Sequence, residues 1–223
     1  MPVSRAQLAR MLDRRCFLLL LALLGLLVGI PILGDTLYGR TLIGLLDILI
    51  LFAAVAAVGR SRLSLAVAGV LGVPVLVFQI VALQSASPGH LALSWGFAAG
   101  FYVFALVQLL RYVLRPEAMT ADKLYGAAAV YLMLGITWAF GYGVLEYFHP
   151  GAFTLGGTAK VLEFSELIYF SFVVLTSTGF GDILPAMTQS RFLMILEVLT
   201  GVMYVAILIA RLTGVCPAAG KEP

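Results

Sequence analysis

The residues of this chain whose types and spacing could do chemistry are Thr176-Ser177-Thr178-Gly179-Phe180-Gly181-Asp182. Two glycines at alternate positions, three hydroxyl residues and a terminal aspartate resist an ordinary buried helix. Yet the stretch lies between a short apolar run and a long one, at membrane depth. Irregular backbone there is tolerated only where protein buries it or where it lines an aqueous path. Glycines at 179 and 181 reach backbone angles closed to other residues, so the successive carbonyls of Ser177 to Gly181 can all turn to one side. A column of carbonyls can replace the water around a dehydrated cation. One chain supplies one wall of such a column, and four chains around an axis surround the ion, so a homotetramer is part of this reading.

Positioning that stretch falls to a chain of 223 residues, 62% hydrophobic and 11% charged, against about a quarter charged in a soluble domain. This is the composition of a polytopic membrane protein. The net charge of +3 does not imply nucleic acid, because the basic residues sit at the ends of apolar runs, where membrane topology explains them. No His or Cys constellation, metal spacing or nucleophile motif points to an enzyme. Cys16 and Cys216 lie beside basic residues expected on the cytoplasmic side, where a structural disulfide is not expected. Asp13-Arg14-Arg15-Cys16 loosely resembles an export signal, but the following run is too long and lacks a small-residue cleavage site.

Residues 1–15 carry Arg5, Arg10, Arg14 and Arg15 with Leu8, Met11 and Leu12 at helical spacing, the pattern of an amphipathic segment on an anionic leaflet. Four peripheral crossings follow within 16–115, at about 16 to 34, 38 to 59, 63 to 84 and 91 to 114, each near the roughly 20 residues a spanning helix needs. A fifth runs from about 123 to 148 and a sixth from about 189 to 212. Between them, Leu162 to Leu175 is too short to span and has the length of a re-entrant helix, with Glu163 and Glu166 at its start, where negative charge suits the helix dipole. Residues 214–223 form a short tail. A cytoplasmic N-terminus places Arg5, Arg10, Arg14, Arg15, Arg60, Arg62, Arg111, Arg115, Lys123, Arg211 and Lys221 inside and only Arg40, Lys160 and Arg191 outside, following the positive-inside rule. Both termini are then cytoplasmic and the 176–182 stretch opens outward.

In this setting 175–182 resembles the pore signature of the potassium-channel family, commonly T-x-x-T-V-G-Y-G-D. Tyr169-Phe170-Ser171-Phe172-Val173-Val174 is similar to that family's pore helix, Pro185 follows Asp182 at the familiar distance, Arg191 falls where the inner helix begins, and Gly201 matches the usual glycine hinge. The resemblance covers about residues 123 to 213. It implies a pore domain over 120–213 of outer helix, pore helix, filter and inner helix. Potassium ions would sit at Ser177, Thr178, Gly179 and Phe180, within a filter of Thr176, Ser177, Thr178, Gly179, Phe180 and Gly181. It further implies that Asp182 accepts a hydrogen bond from Tyr169 to hold the filter. Three positions depart from the pattern. Ser177 replaces threonine and keeps a hydroxyl; Phe180 replaces tyrosine and loses one. Thr178 replaces valine or isoleucine and places a hydroxyl behind the filter, where it needs a partner or carries a cost of about 1 to 3 kcal/mol.

Glu197 lies inside the last helix, where an ionisable group costs at least about 2.5 kcal/mol unless paired or wetted. It is expected either to be neutral and hydrogen-bonded near Ser171 or Thr200, supporting the filter, or to face the cavity. Gly201, four residues on, is a hinge or a site of close helix packing. Gly25-x-x-x-Gly29 and Gly96-x-x-x-Gly100 invite the packing reading. Asp47 resembles the acids that accompany voltage-sensing arginines, but the fourth crossing has no arginine at every third position, so steep voltage gating is not expected. The expected fold is thus an all-α, multi-pass protein of the cell (plasma or inner) membrane. It has six transmembrane helices, a re-entrant pore helix and a selectivity filter, assembled as a homotetramer in the lipid bilayer. Its expected activity is passive conduction, with potassium ions and no organic cofactor. A cation channel that does not separate sodium from potassium is the nearest alternative. A secondary transporter with a broken helix is the alternative of another class, and the inverted repeat it requires is not found.

Overall fold

The computed structural model describes residues 15–33, 39, 43–47, 49–50, 62–84, 88–115 and 120–214. The amphipathic 1–15 segment except Arg15, most of the 38 to 59 crossing and all of the tail beyond Gly214 lie outside the described residues. Helix α1 (Arg15–Leu33) is followed by helical residues at 43–47 and 49–50, then α2 (Arg62–Gln84), α3 (Pro88–Val113) and α4 (Ala121–Phe148). A short hairpin of β1 (Phe153–Leu155) and β2 (Thr158–Ala159) leads into α5 (Phe164–Leu175). The irregular stretch follows, then β3 (Ile183–Pro185) and α6 (Thr188–Leu212).

Four described helices, or parts of them, are long and apolar enough to cross a bilayer: 15–33, 92–113, 121–148 and 188–212. Their ends lie within four residues of the charges and prolines that bound the apolar runs, because a helix leaves the hydrocarbon where its side chains become polar. Helix α4 begins at Thr120, whose hydroxyl accepts from the Lys123 amide at 3.3 Å and satisfies a donor the first turn leaves open. It packs against α1, α3, α5 and α6 and is the central element of the protomer. Close approach is bought by missing side chains: a Cβ on Gly143 would meet the Trp95 ring at 2.7 Å, and one on Gly135 would meet Phe172 at 2.8 Å. The two GxxxG pairs behave differently: among the described residues nothing lies within 4 Å of a Cβ on Gly25, Gly29 or Gly96, and one on Gly100 would meet Leu71 at 3.9 Å, an ordinary contact. Their expected tight packing is not met among the described residues.

The three strands depart from an all-helical reading. Gly156 and Gly157, both at positive φ (58° and 83°), make a turn that joins β1 to β2. On its other edge β1 pairs antiparallel with β3, with Thr154 opposite Leu184. This small sheet pins the segment leaving the irregular stretch, and Gly156 N–H donates to the Asp182 carbonyl at 3.0 Å.

Candidate functional site

Helix α5 has 12 residues and is about 18 Å long, too short for a hydrocarbon core of about 30 Å. Its start is fixed by charge: the Glu163 amide donates to Glu166 Oε2 at 2.9 Å, and Lys160 Nζ meets Glu166 Oε1 at 2.6 Å. Partial burial works against ionisation of Glu166, but the Lys160 bond and the Glu163 amide outweigh it and hold this carboxyl below the usual range. The other end of the helix is closed by the irregular stretch itself. The amides of Thr176, Ser177, Thr178 and Gly179 donate to the carbonyls of Phe172, Val174, Val173 and Val173 at 3.1, 2.9, 2.9 and 3.3 Å. Four donors are thereby turned back onto carbonyls that the last turn of a helix leaves unpaired.

The backbone beyond reverses hand residue by residue. Ser177, Gly179 and Gly181 have φ of 58°, 59° and 80°, whereas Thr178 and Phe180 keep negative φ. Alternation of this kind allows successive carbonyls to turn toward one side of the ribbon. Among the described residues no donor reaches the carbonyls of residues 177–181. All of Thr176 to Asp182 is exposed on the isolated protomer. Ser177 is the only described non-glycine residue at positive φ, a conformation that costs an L-residue roughly 1 to 2 kcal/mol.

The hydroxyl of Thr178 has its partner two residues away. Thr176 Oγ1 gives its proton to the Phe172 carbonyl at 2.7 Å and accepts from Thr178 Oγ1 at 2.8 Å. The penalty expected of an orphaned hydroxyl therefore does not arise. At the far end, Tyr169 on α5 donates to Asp182, and that bond holds the Asp182 carboxyl below the usual carboxylate range.

Behind the stretch, Glu197 is fully buried on α6. Tyr142 on α4 donates to its Oε2 at 2.5 Å, and Ser171 on α5 lies 2.5 Å from its Oε1. Ser171 is also 2.7 Å from the Gly135 carbonyl. With one hydroxyl proton between two oxygens, both contacts are satisfied when Ser171 donates to Gly135 and a protonated Glu197 donates to Ser171. The carboxyl thus ties α4, α5 and α6 at one point. Of the two hydroxyls expected near it, Ser171 is present, whereas Thr200 turns back to the Leu196 carbonyl at 2.7 Å. Tyr142 was not legible as a partner, being an aromatic residue in an apolar helix 55 positions away.

Gly201 sits against the end of α5. A Cβ there would meet the Leu175 carbonyl oxygen at 2.4 Å, and Tyr131 donates to the same oxygen at 3.2 Å. The close-packing alternative is the one this geometry displays. Asp47 accepts a hydrogen bond from the Tyr102 hydroxyl of α3, and among the described residues no arginine bonds to it.

Residues 124–216 match the family model described as Ion channel. The match takes in most of α4, the short helix, the irregular stretch and α6, and it supports a passive ion channel set in a membrane rather than an enzyme. No curated protein and no solved structure matches the chain.

Proposed function

We propose that the chain is a potassium-selective channel whose filter is built from four copies of Ser177 to Gly181 around a common axis. The observation that carries this reading is the alternating backbone at 177, 179 and 181, whose carbonyls take no donor among the described residues. Four such ribbons offer rings of oxygens that can stand in for the hydration shell of a cation. The negative end of the α5 dipole lies beside them and adds to the attraction for positive charge. Potassium ions would occupy sites formed at Ser177, Thr178, Gly179 and Phe180, with Thr176 at one end. Asp182, Tyr169 and Glu197 brace the filter from behind. The satisfied hydroxyl of Thr178 argues for a braced filter and so for potassium over a pore open to sodium as well.

The surface of α6 supports assembly. Only 11% of its apolar spanning residues are buried, against 50% for α4, so most of that helix faces something beyond the protomer. The remaining architecture follows from the sequence: six crossings, both termini cytoplasmic, and the filter opening outward in the cell membrane.

Flux in proteoliposomes tests the reading. Gly179→Ala and Gly181→Ala each place a Cβ at positive φ and are expected to abolish potassium flux. The wild-type reversal potential, with potassium and sodium on opposite sides, is expected to sit close to the potassium equilibrium value. Full flux through either variant would overturn the filter assignment, and a reversal potential near zero would overturn the selectivity.

A further inference from the structure

We propose that the cavity walled by Asp47, Trp95, Phe140 and Phe164 is a binding site for a small organic cation, an ammonium group carried on an aryl or alkyl body. The cavity has a volume of about 400 Å³ and lies among the peripheral helices, α4 and the start of α5. That volume falls within the roughly 300 to 1,000 Å³ of small-molecule sites. Pro31 near the end of α1 and Val161 and Leu162 in the loop before α5 place its mouth on the side of the 149–163 loop.

Three observations fix the chemistry of the occupant. First, the lining is apolar except at a few points, and the two ionisable residues among the described lining are both acids, Asp47 and Glu163. Second, Asp47 is 9% exposed and Tyr102 donates to its Oδ1, which leaves Oδ2 as the oxygen an occupant meets. A carboxyl group at membrane depth is costly unless it is paired, and marks a functional site with a partner to be named. Third, three lining residues, Trp95, Phe140 and Phe164, belong to one run of rings that ends on Tyr102, the partner of Asp47. Trp95 stacks on Phe164 at 5.8 Å, Phe164 meets Phe140 at 4.7 Å, and Phe140 meets Tyr102 at 5.5 Å. Ring faces attract a cation, and their area accommodates an apolar body. A neutral apolar molecule would leave Asp47 unused, and an anion would face two acids. An amine would place its charge at Asp47 and its body along the rings, in contact with Phe164, Ser165 and Ile168 of the helix that precedes the irregular stretch.

The probe pair is 4-phenylbutylamine and its uncharged isostere 4-phenylbutanol. Binding to the full chain in lipid nanodiscs is read from Trp95 emission in a Trp138→Phe background, since the chain has two tryptophans and Trp95 lines the cavity. The amine is expected to give a saturable change at a concentration about tenfold or more below that needed in Asp47→Asn, because one charge pair is worth at least that factor in such a site. The alcohol is expected to behave alike in both proteins. Asn keeps the shape of the side chain and an acceptor for Tyr102, so the fold is retained. Ile43→Phe, which adds volume at a lining position of the cavity, is expected to remove binding of both probes. Equal amine affinity in Asp47→Asn, or an unsaturable response that persists in Ile43→Phe, would overturn the proposal.

Discussion

Asp182 and Glu197 are two carboxyls in opposite settings, and each gives a separate prediction. Asp182 is exposed and its titration is depressed by the Tyr169 hydroxyl. A depressed carboxyl favours the assembled arrangement above the ordinary carboxylate range and loses that contribution as pH falls through its lowered value. Tyr169→Phe removes the donor and returns Asp182 upward. Acid-side loss of flux, measured against pH on the Asp182 side of the membrane, is therefore expected to begin at higher pH in this variant than in wild type. Glu197 is tested by proton counting. A glutamine there accepts from Tyr142 through its oxygen and donates to Ser171 through its amide, which reproduces a protonated carboxyl. Glu197→Gln is expected to keep wild-type thermal stability. Glu197→Ala is expected to lose about 1 to 3 kcal/mol for each hydroxyl left without a partner. A Gln variant as damaged as the Ala variant would mean that both hydroxyls donate into a charged group.

Among the elements, the apolar runs were legible because their signal is strong and local: about twenty apolar residues between charges define a crossing whatever surrounds it. The described helices match their expected bounds within three residues. The short length of α5 and the glycines at 179 and 181 were legible for the same reason. Contacts between elements were not. Tyr142 and Tyr102 read as core aromatics, and only the packing of α4 on α6, and of α3 on the 43–50 segment, turns them into partners of Glu197 and Asp47. The β-hairpin rests on strands of three and two residues and on a third strand some thirty positions away, too little chain for any period to show. Glycines illustrate the limit most directly, since among the described residues Gly25, Gly29 and Gly96 meet nothing and Gly100 makes only an ordinary contact, while Gly135, Gly143 and Gly201 take the closest approaches. Gly201→Ala tests whether the contact with α5 matters. Its Cβ would fall 2.4 Å from a backbone oxygen, which cannot swing aside as a side chain does. The variant is expected to lose stability by about 1 to 3 kcal/mol and to lose flux with it, in a thermal melt and a proteoliposome assay run on the same preparation. Full stability with altered opening would instead favour a hinge.

For the whole molecule, assembly and ion occupancy are linked quantities. The proposed tetramer would cover Phe192, Leu196, Leu199, Val202 and Met203, which are half exposed or more along α6 of the single protomer, together with its carbonyl ribbon. The particle in mild detergent is accordingly expected to have four times the 23.9 kDa protomer mass, by light scattering corrected for detergent. Ions that bind only the assembled ring stabilise it by mass action, by about 2.7 kcal/mol when the ion stands at 100 times its dissociation constant. Potassium in place of sodium is thus expected to raise the temperature at which the particle falls apart. Gly181→Ala breaks the ribbon but leaves the α6 surface intact, so its mass is expected to stay the same while the potassium-dependent rise disappears. A rise that survives Gly181→Ala would place the stabilising ions elsewhere, and equal midpoints in potassium and sodium for the wild type would remove the link between the ring and potassium.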